Sequence, residues 1–119
     1  MERMERVEHS GLTIDEMRSL QLRLNAKHPE WEKLRPEYGR SCLLWMMEEF
    51  GEVVRVLKRN DDEQVMDDPA VRSGFIEEMC DTLMFFVDTL ICYDVSPEEF
   101  AAAYRAKAAG NLKRVWQSA

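Results

Sequence analysis

The sequence predicts an all-α protein, a four-helix-bundle-like domain, and three observations predict it. Glycine and proline are scarce, five and four in 119 residues, so turns are few and regular elements long. Leu, Met, Glu, Arg and Ala are abundant, and all are strong helix formers. No segment alternates apolar and polar residues with the period of two that a half-buried strand needs. The length fits one domain, read as residues 13–119, with a polar lead-in over residues 1–12.

Each element has its own signal. The first helix starts at Thr13, whose hydroxyl forms a capping box with the Glu16 carboxylate. Ile14, Met17, Leu20 and Leu24 recur at helical spacing as far as Lys27. His28-Pro29 then ends the helix. A connection through Trp31, Leu34 and Pro36 leads to a second helix, which begins between Pro36 and Cys42 and ends near Lys58. Its run CLLWMMEEFGEVVRVLK is apolar around most of its circumference. The following RNDDEQVMDD is polar and acidic and reads as a loop. Asp68-Pro69 is an N-cap followed by proline at the first helical position, and opens a third helix over about 70–93. Ser96-Pro97-Glu98-Glu99 opens the fourth, which runs to about Trp116 with Gly110 as its weak point.

Sixteen basic residues against 23 acidic ones leave a formal charge of −7. That balance argues against duplex nucleic acid or an anionic membrane as the partner. It admits a small anionic ligand, provided a metal or a local basic strip supplies the opposite charge. Cys42, Cys80 and Cys92 are odd in number, lack CxxC spacing and sit in apolar runs, so buried reduced thiols are expected. No 18-residue uncharged apolar stretch is present. The start, MERMERVEHSG, is too charged for a signal peptide, and a cytoplasmic protein is expected.

Chemistry emerges when the helices are drawn as wheels at about 100° per residue. On the second helix Leu43, Met47, Phe50, Val54 and Leu57 share one apolar face. Glu49 and Glu52 fall in a sector with Trp45 and Val56, while Glu48 lies nearer the polar edge. On the third helix Phe75, Met79, Leu83, Phe86 and Leu90 form the apolar face, and Glu78 and Asp81 lie with Phe85 and Asp88. Neither Lys nor Arg occurs from Ser41 to Val54 or from Ser73 to Tyr104. Packed side by side, the two helices would bring two acidic pairs together on partly apolar faces. Such carboxylates either protonate or bind a cation. Oxygen donors without His or Cys suit a hard divalent ion, Mg²⁺ with Mn²⁺ as a substitute. The fourth helix offers the complement. It has no acid from Phe100 onward, and Lys107, Asn111 and Arg114 follow at i, i+4 and i+7, a strip able to grip phosphate oxygens.

At these residues the sequence resembles the all-α nucleotide pyrophosphohydrolases of the MazG type, whose relatives include dimeric dUTPases and dCTP pyrophosphatases. The family pattern is EExxE, a variable spacer, then ExxD. Here it reads Glu48-Glu49-Phe50-Gly51-Glu52, 25 residues, then Glu78-Met79-Cys80-Asp81. The tail resembles the family's Lys-x3-Asn-x2-Arg ending, as Lys107, Asn111 and Arg114. The likeness covers about residues 13–116. It implies hydrolysis of a nucleoside triphosphate between the α and β phosphates. It implies Glu49, Glu52, Glu78 and Asp81 as Mg²⁺ ligands, and Glu48 as the holder of a further metal or the group that orients the attacking water, a role open to Glu49 as well. Lys107 and Asn111 match phosphate contacts. Base-recognition segments vary across the family, so no base is fixed. The apolar faces of the second and third helices point to self-association, and the family likeness to a homodimer or homotetramer.

Each feature has a plainer reading. The acids could form solvated faces, and Lys107, Asn111 and Arg114 could be an ordinary basic carboxy-terminal turn that favours the helix dipole. Trp31, Trp45 and Phe85 could stack on a base, Trp31 being the one taken as a substrate contact, or they could pack in the core. Asp88 could be a fifth ligand, a group behind the ligands, or solvated. His9 and His28 lack ligand-like partners and read as surface residues. A non-enzymatic helical interaction protein is therefore the alternative. A di-iron bundle needs Glu-x-x-His pairs, which neither His9 nor His28 completes. Phosphoribosyl-ATP pyrophosphohydrolase is a sister possibility within the leading class.

Overall fold

A computed structural model describes residues 11–114. Five helices follow one another: α1 Ile14–Lys27, α2 Pro36–Arg59, α3 Asp62–Asp67, α4 Pro69–Cys92 and α5 Pro97–Lys113. Among the described residues there is no strand, and no helix is long and apolar enough to cross a membrane. His9, most of the polar lead-in and Trp116 lie outside the described residues.

Local chemistry sets the boundaries. The Thr13 hydroxyl accepts from the Glu16 amide at 3.0 Å, and the Ser96 hydroxyl accepts from the Glu99 amide at 3.0 Å. The Asp68 carboxylate accepts from the Ala70 and Val71 amides, with Pro69 at the first helical position. Asp94 has φ 56°, a left-handed conformation that Asp tolerates better than most residues, and it turns the chain out of α4. The expected loop after α2 is corrected. Asp61 and Gln64 close a reciprocal capping box, which winds Asp62–Asp67 into the short α3. α5 ends at Lys113 and runs through Gly110 without a break.

α2 and α4, each 24 residues and about 36 Å long, are the frame. They run antiparallel: Cys42 near the start of α2 has its sulfur 3.9 Å from that of Cys92 at the end of α4. One residue turn earlier, Gly39 lies so close to the Tyr93 ring that a Cβ would overlap it. α1 and α3 pack on α4, and α5 packs on α1 and sets Phe100 edge-on against Phe86 of α4, with centroids 5.6 Å apart.

Among the described residues buried apolar side chains are few: Cys42, Val53, Val87, Ile91 and Cys92. At about 1.5–3 kcal/mol for each large aliphatic residue, they make a thin core. The apolar faces drawn from the sequence do not supply it. Leu43, Met47, Phe50, Val54 and Leu57 of α2 are exposed, Met47 to 59% and Phe50 to 52%, as are Met79 and Leu83 of α4. The two long helices meet through their other faces, the ones that carry the acids. Cys80 is exposed as well, which corrects the expectation of three buried thiols, although all three cysteines are free.

Candidate metal centre and adjoining cavity

Glu49 projects from α2, and Glu78 and Asp81 from one turn of α4. One carboxylate oxygen from each comes within 4.8 Å of the others, and all three residues are half-buried. Among the described residues no Lys or Arg forms an ion pair with any of them. Burial, joined by the negative charges of Asp81 and Glu78, holds the Glu49 carboxyl above its ordinary 4.5. Three hard oxygen donors, without nitrogen or sulfur, fit a hexacoordinate ion that keeps further positions for water or phosphate.

The other residues singled out in the sequence are placed differently. Glu52 shares its face with Glu49 but is held by Arg55, whose Nη1 donates to both carboxylate oxygens at 2.9 and 3.1 Å. It is outside the cluster. Glu48 is exposed. Lys107, Asn111 and Arg114 are exposed on or just past α5, and no hydrogen bond or ion pair among the described residues joins Lys107 or Asn111 to the acids.

Beside the cluster, between α1, α2 and α4, lies a cavity of about 430 Å³. Asp81 lines it, so cavity and acids are continuous. Trp31, Tyr38, Trp45 and Phe85 form its aromatic walls, with Leu24, Leu34 and Met84 between them. Trp31 reaches it because the connection after α1 is tied down. Asn25 donates from Nδ2 to the Glu32 carbonyl at 3.0 Å, and the Trp31 amide donates to the His28 carbonyl at 2.9 Å. The Trp31 ring then stacks on His28 at 4.0 Å between centroids, and His28 is braced by Glu30 at 3.1 Å. His28 is thus part of the wall's support rather than an idle surface residue.

One polar group on this cavity, Gln21, escaped the sequence reading, and Asp88 lacked a partner there. Gln21 is buried on α1, and its Nε2 donates to Asp88 Oδ1 of α4 at 2.9 Å. Burial pushes the Asp88 carboxyl up from its ordinary range, and the bond from Gln21 pulls it partly back. The signal for Gln21 was available: a polar residue at i+4 from Met17 and i+7 from Ile14, within the apolar stripe of the helix. Asp88 was noticed, but nothing in the sequence named its partner.

No protein-family model, curated protein or solved structure matches the chain.

Proposed function

We propose that the chain is a Mg²⁺-dependent nucleotide pyrophosphohydrolase of the MazG type, which converts a nucleoside triphosphate to the monophosphate and pyrophosphate. One observation carries this reading: Glu49, Glu78 and Asp81 meet, with no basic partner among the described residues, at the edge of an aromatic cavity that Asp81 also lines. A cation site that opens into a slot for a flat ring is what a nucleotide requires.

In this reading Glu49, Glu78 and Asp81 hold the cation, and Glu52 can join them on leaving Arg55. When bound, Mg²⁺ supplies charge neutralisation and polarises the phosphate oxygens. Glu48 or Glu49 orients the water that adds to the α-phosphorus. The α–β bridging bond breaks and pyrophosphate departs with the electron pair. Lys107, Asn111 and Arg114 are assigned to the phosphate tail, where Lys107 stabilises charge on the leaving group. Trp31 is assigned to the base. The biological role is nucleotide housecleaning or pool control, in the cytoplasm.

The exposed faces of α2 and α4 support a homodimer or homotetramer, because contiguous apolar surface on a small domain marks an interface. The same faces also suit the second reading, a non-enzymatic helical interaction protein. Incubation with a nucleotide panel and Mg²⁺, followed by chromatography, decides between them. Monophosphate with pyrophosphate is expected. Diphosphate with orthophosphate, or no turnover together with no cation uptake, would reject the hydrolase.

A further inference from the structure

Charge and apolar surface combine in an unusual way on the walls of the cavity between α1, α2 and α4. Glu32, Asp81 and Asp88 line it, and among the described residues no Lys, Arg or His does. Its four aromatic residues add to the negative character, because an aromatic ring carries negative charge on its face. Asp88 is half-buried and forms no ion pair among the described residues. Gln21 donates to its Oδ1 at 2.9 Å. That amide is neutral, so it fixes the carboxylate without cancelling its charge. Burial is costly for a negative group left in this state, as the raised pKa of Asp88 shows. A cation would remove the cost, and the walls decide which kind. Mg²⁺ gives up its water reluctantly and needs a shell of oxygens, which rings and aliphatic side chains do not supply. An alkylated ammonium sheds water more easily, and ring faces attract it when both are dry. The volume of about 430 Å³ leaves room for an apolar body behind the charge.

We propose that this cavity binds an organic ammonium ion with an apolar body, its charge set between Asp88 and the aromatic walls. The inference goes beyond the pyrophosphohydrolase reading and does not rest on it. Such an ion needs no metal, and it would hold the cavity in place of a nucleotide. Asp88, kept in position by Gln21, supplies the counter-charge. Trp31 and Trp45 enclose the body of the ligand and report its arrival.

Benzylammonium and benzyl alcohol share a ring and are nearly equal in size, and at neutral pH only the first is charged. Each is titrated into the metal-free protein in about 0.15 M salt, which screens attraction to exposed acids, and tryptophan fluorescence is read. The ammonium should bind at least about tenfold tighter than the alcohol, because only the cation gains from the ring faces and the carboxylate. Equal affinities, or no response to either, overturn the proposal in the unaltered protein without any variant. Ammonium chloride, a cation without an apolar body, should give no response. A response equal to that of benzylammonium would mean that the acids alone hold the ion, and would overturn the cavity assignment. Asp88→Asn keeps the size and can still accept from Gln21, but it removes the charge. With its helical circular dichroism retained, it should weaken benzylammonium at least about fivefold and benzyl alcohol less than about twofold, since only the ion pair is lost. An undiminished preference for the ammonium removes Asp88 from the role and overturns the proposal. Selective uptake of benzylammonium without pyrophosphate release from any nucleotide supports this inference and overturns the hydrolase. Pyrophosphate release without a preference for the ammonium does the reverse.

Discussion

Arg55 grips Glu52 through both carboxylate oxygens, at 2.9 and 3.1 Å, one helical turn along α2. Three residues earlier on the same face, Glu49 meets Glu78 and Asp81 of α4. The acids of one motif therefore stand in unequal electrostatic situations. Glu52 is compensated at the surface by a neighbour on its own helix, and the other three have no such partner among the described residues.

That inequality ranks the acids. Glu49→Gln, Glu78→Gln and Asp81→Asn should each weaken Mn²⁺ binding by more than about a hundredfold, beyond the roughly 10–100-fold typical of a partner behind the ligands. Glu52→Gln should cost about tenfold or less. Titration calorimetry of the four variants checks the order. If Glu52→Gln costs as much as the others, Glu52 leaves Arg55 to enter the cation's shell.

Acidity links the cluster to stability. Glu49 and Asp88 both hold their protons to higher pH in the folded chain than in the unfolded one, chiefly through burial. Folding therefore takes up protons between the ordinary and the raised values. The stability contributed by these carboxyls is present at low pH and is lost as pH rises through the raised values. The metal-free protein should accordingly lose stability as pH rises from the ordinary carboxyl range towards neutrality, read as a falling melting temperature, and Glu49→Gln should flatten that slope. Mn²⁺ at about a hundred times its Kd should add roughly 2.7 kcal/mol at pH 7. The gain should shrink on acidification. A Mn²⁺ effect independent of pH would mean that the cation binds elsewhere.

Thiol reactivity reports on the packing of α2 against α4. Burial, with Cys92 alongside, pushes the Cys42 thiol up to about 12, and burial raises Cys92 too. The thiolate is the nucleophile, so neither should react with a disulfide reagent at pH 8 until the protein is denatured. Cys80 is open within one chain and should react first, at a rate set by how far assembly covers it. Rapid modification of two or three thiols in the native protein would show that the two helices separate readily.

Self-association has a direct test in the outward apolar face. Light scattering should give the mass of a dimer or a tetramer at micromolar concentration, and Phe50→Asp or Met47→Glu should lower it. Charged residues on an uncovered surface would change stability by only about 0.5 kcal/mol. An unaltered protein that runs as a monomer, untouched by either change, would leave the exposed residues without a partner copy.

The reading of helices from sequence succeeded where the decisive interactions are local. Thr13, Asp68 and Ser96 each bond to amides two or three residues away, and proline excludes itself from helix interiors whatever surrounds it. The short α3 was missed because its composition is that of a loop, while a single capping box is enough to wind one turn and a half. The apolar neighbours of Cys80 in sequence predict burial, yet its own direction on α4 leads outward with Met79 and Leu83.

Read alone, the chain determined its helical class, the start of each long helix and the sector of α2 and α4 that carries the acids, because periodicity and capping depend on residues within a turn or two. It did not determine which sector turns inward. α2 is apolar around most of its surface, so several dockings bury similar area, and only the antiparallel contact with α4, with Cys42 against Cys92 and Gly39 under Tyr93, selects one. The same contact brought Glu49 to Glu78 and Asp81 and left Glu52 to Arg55. The bond from Gln21 to Asp88 spans 67 positions of chain, a separation over which no local pattern can assign a partner.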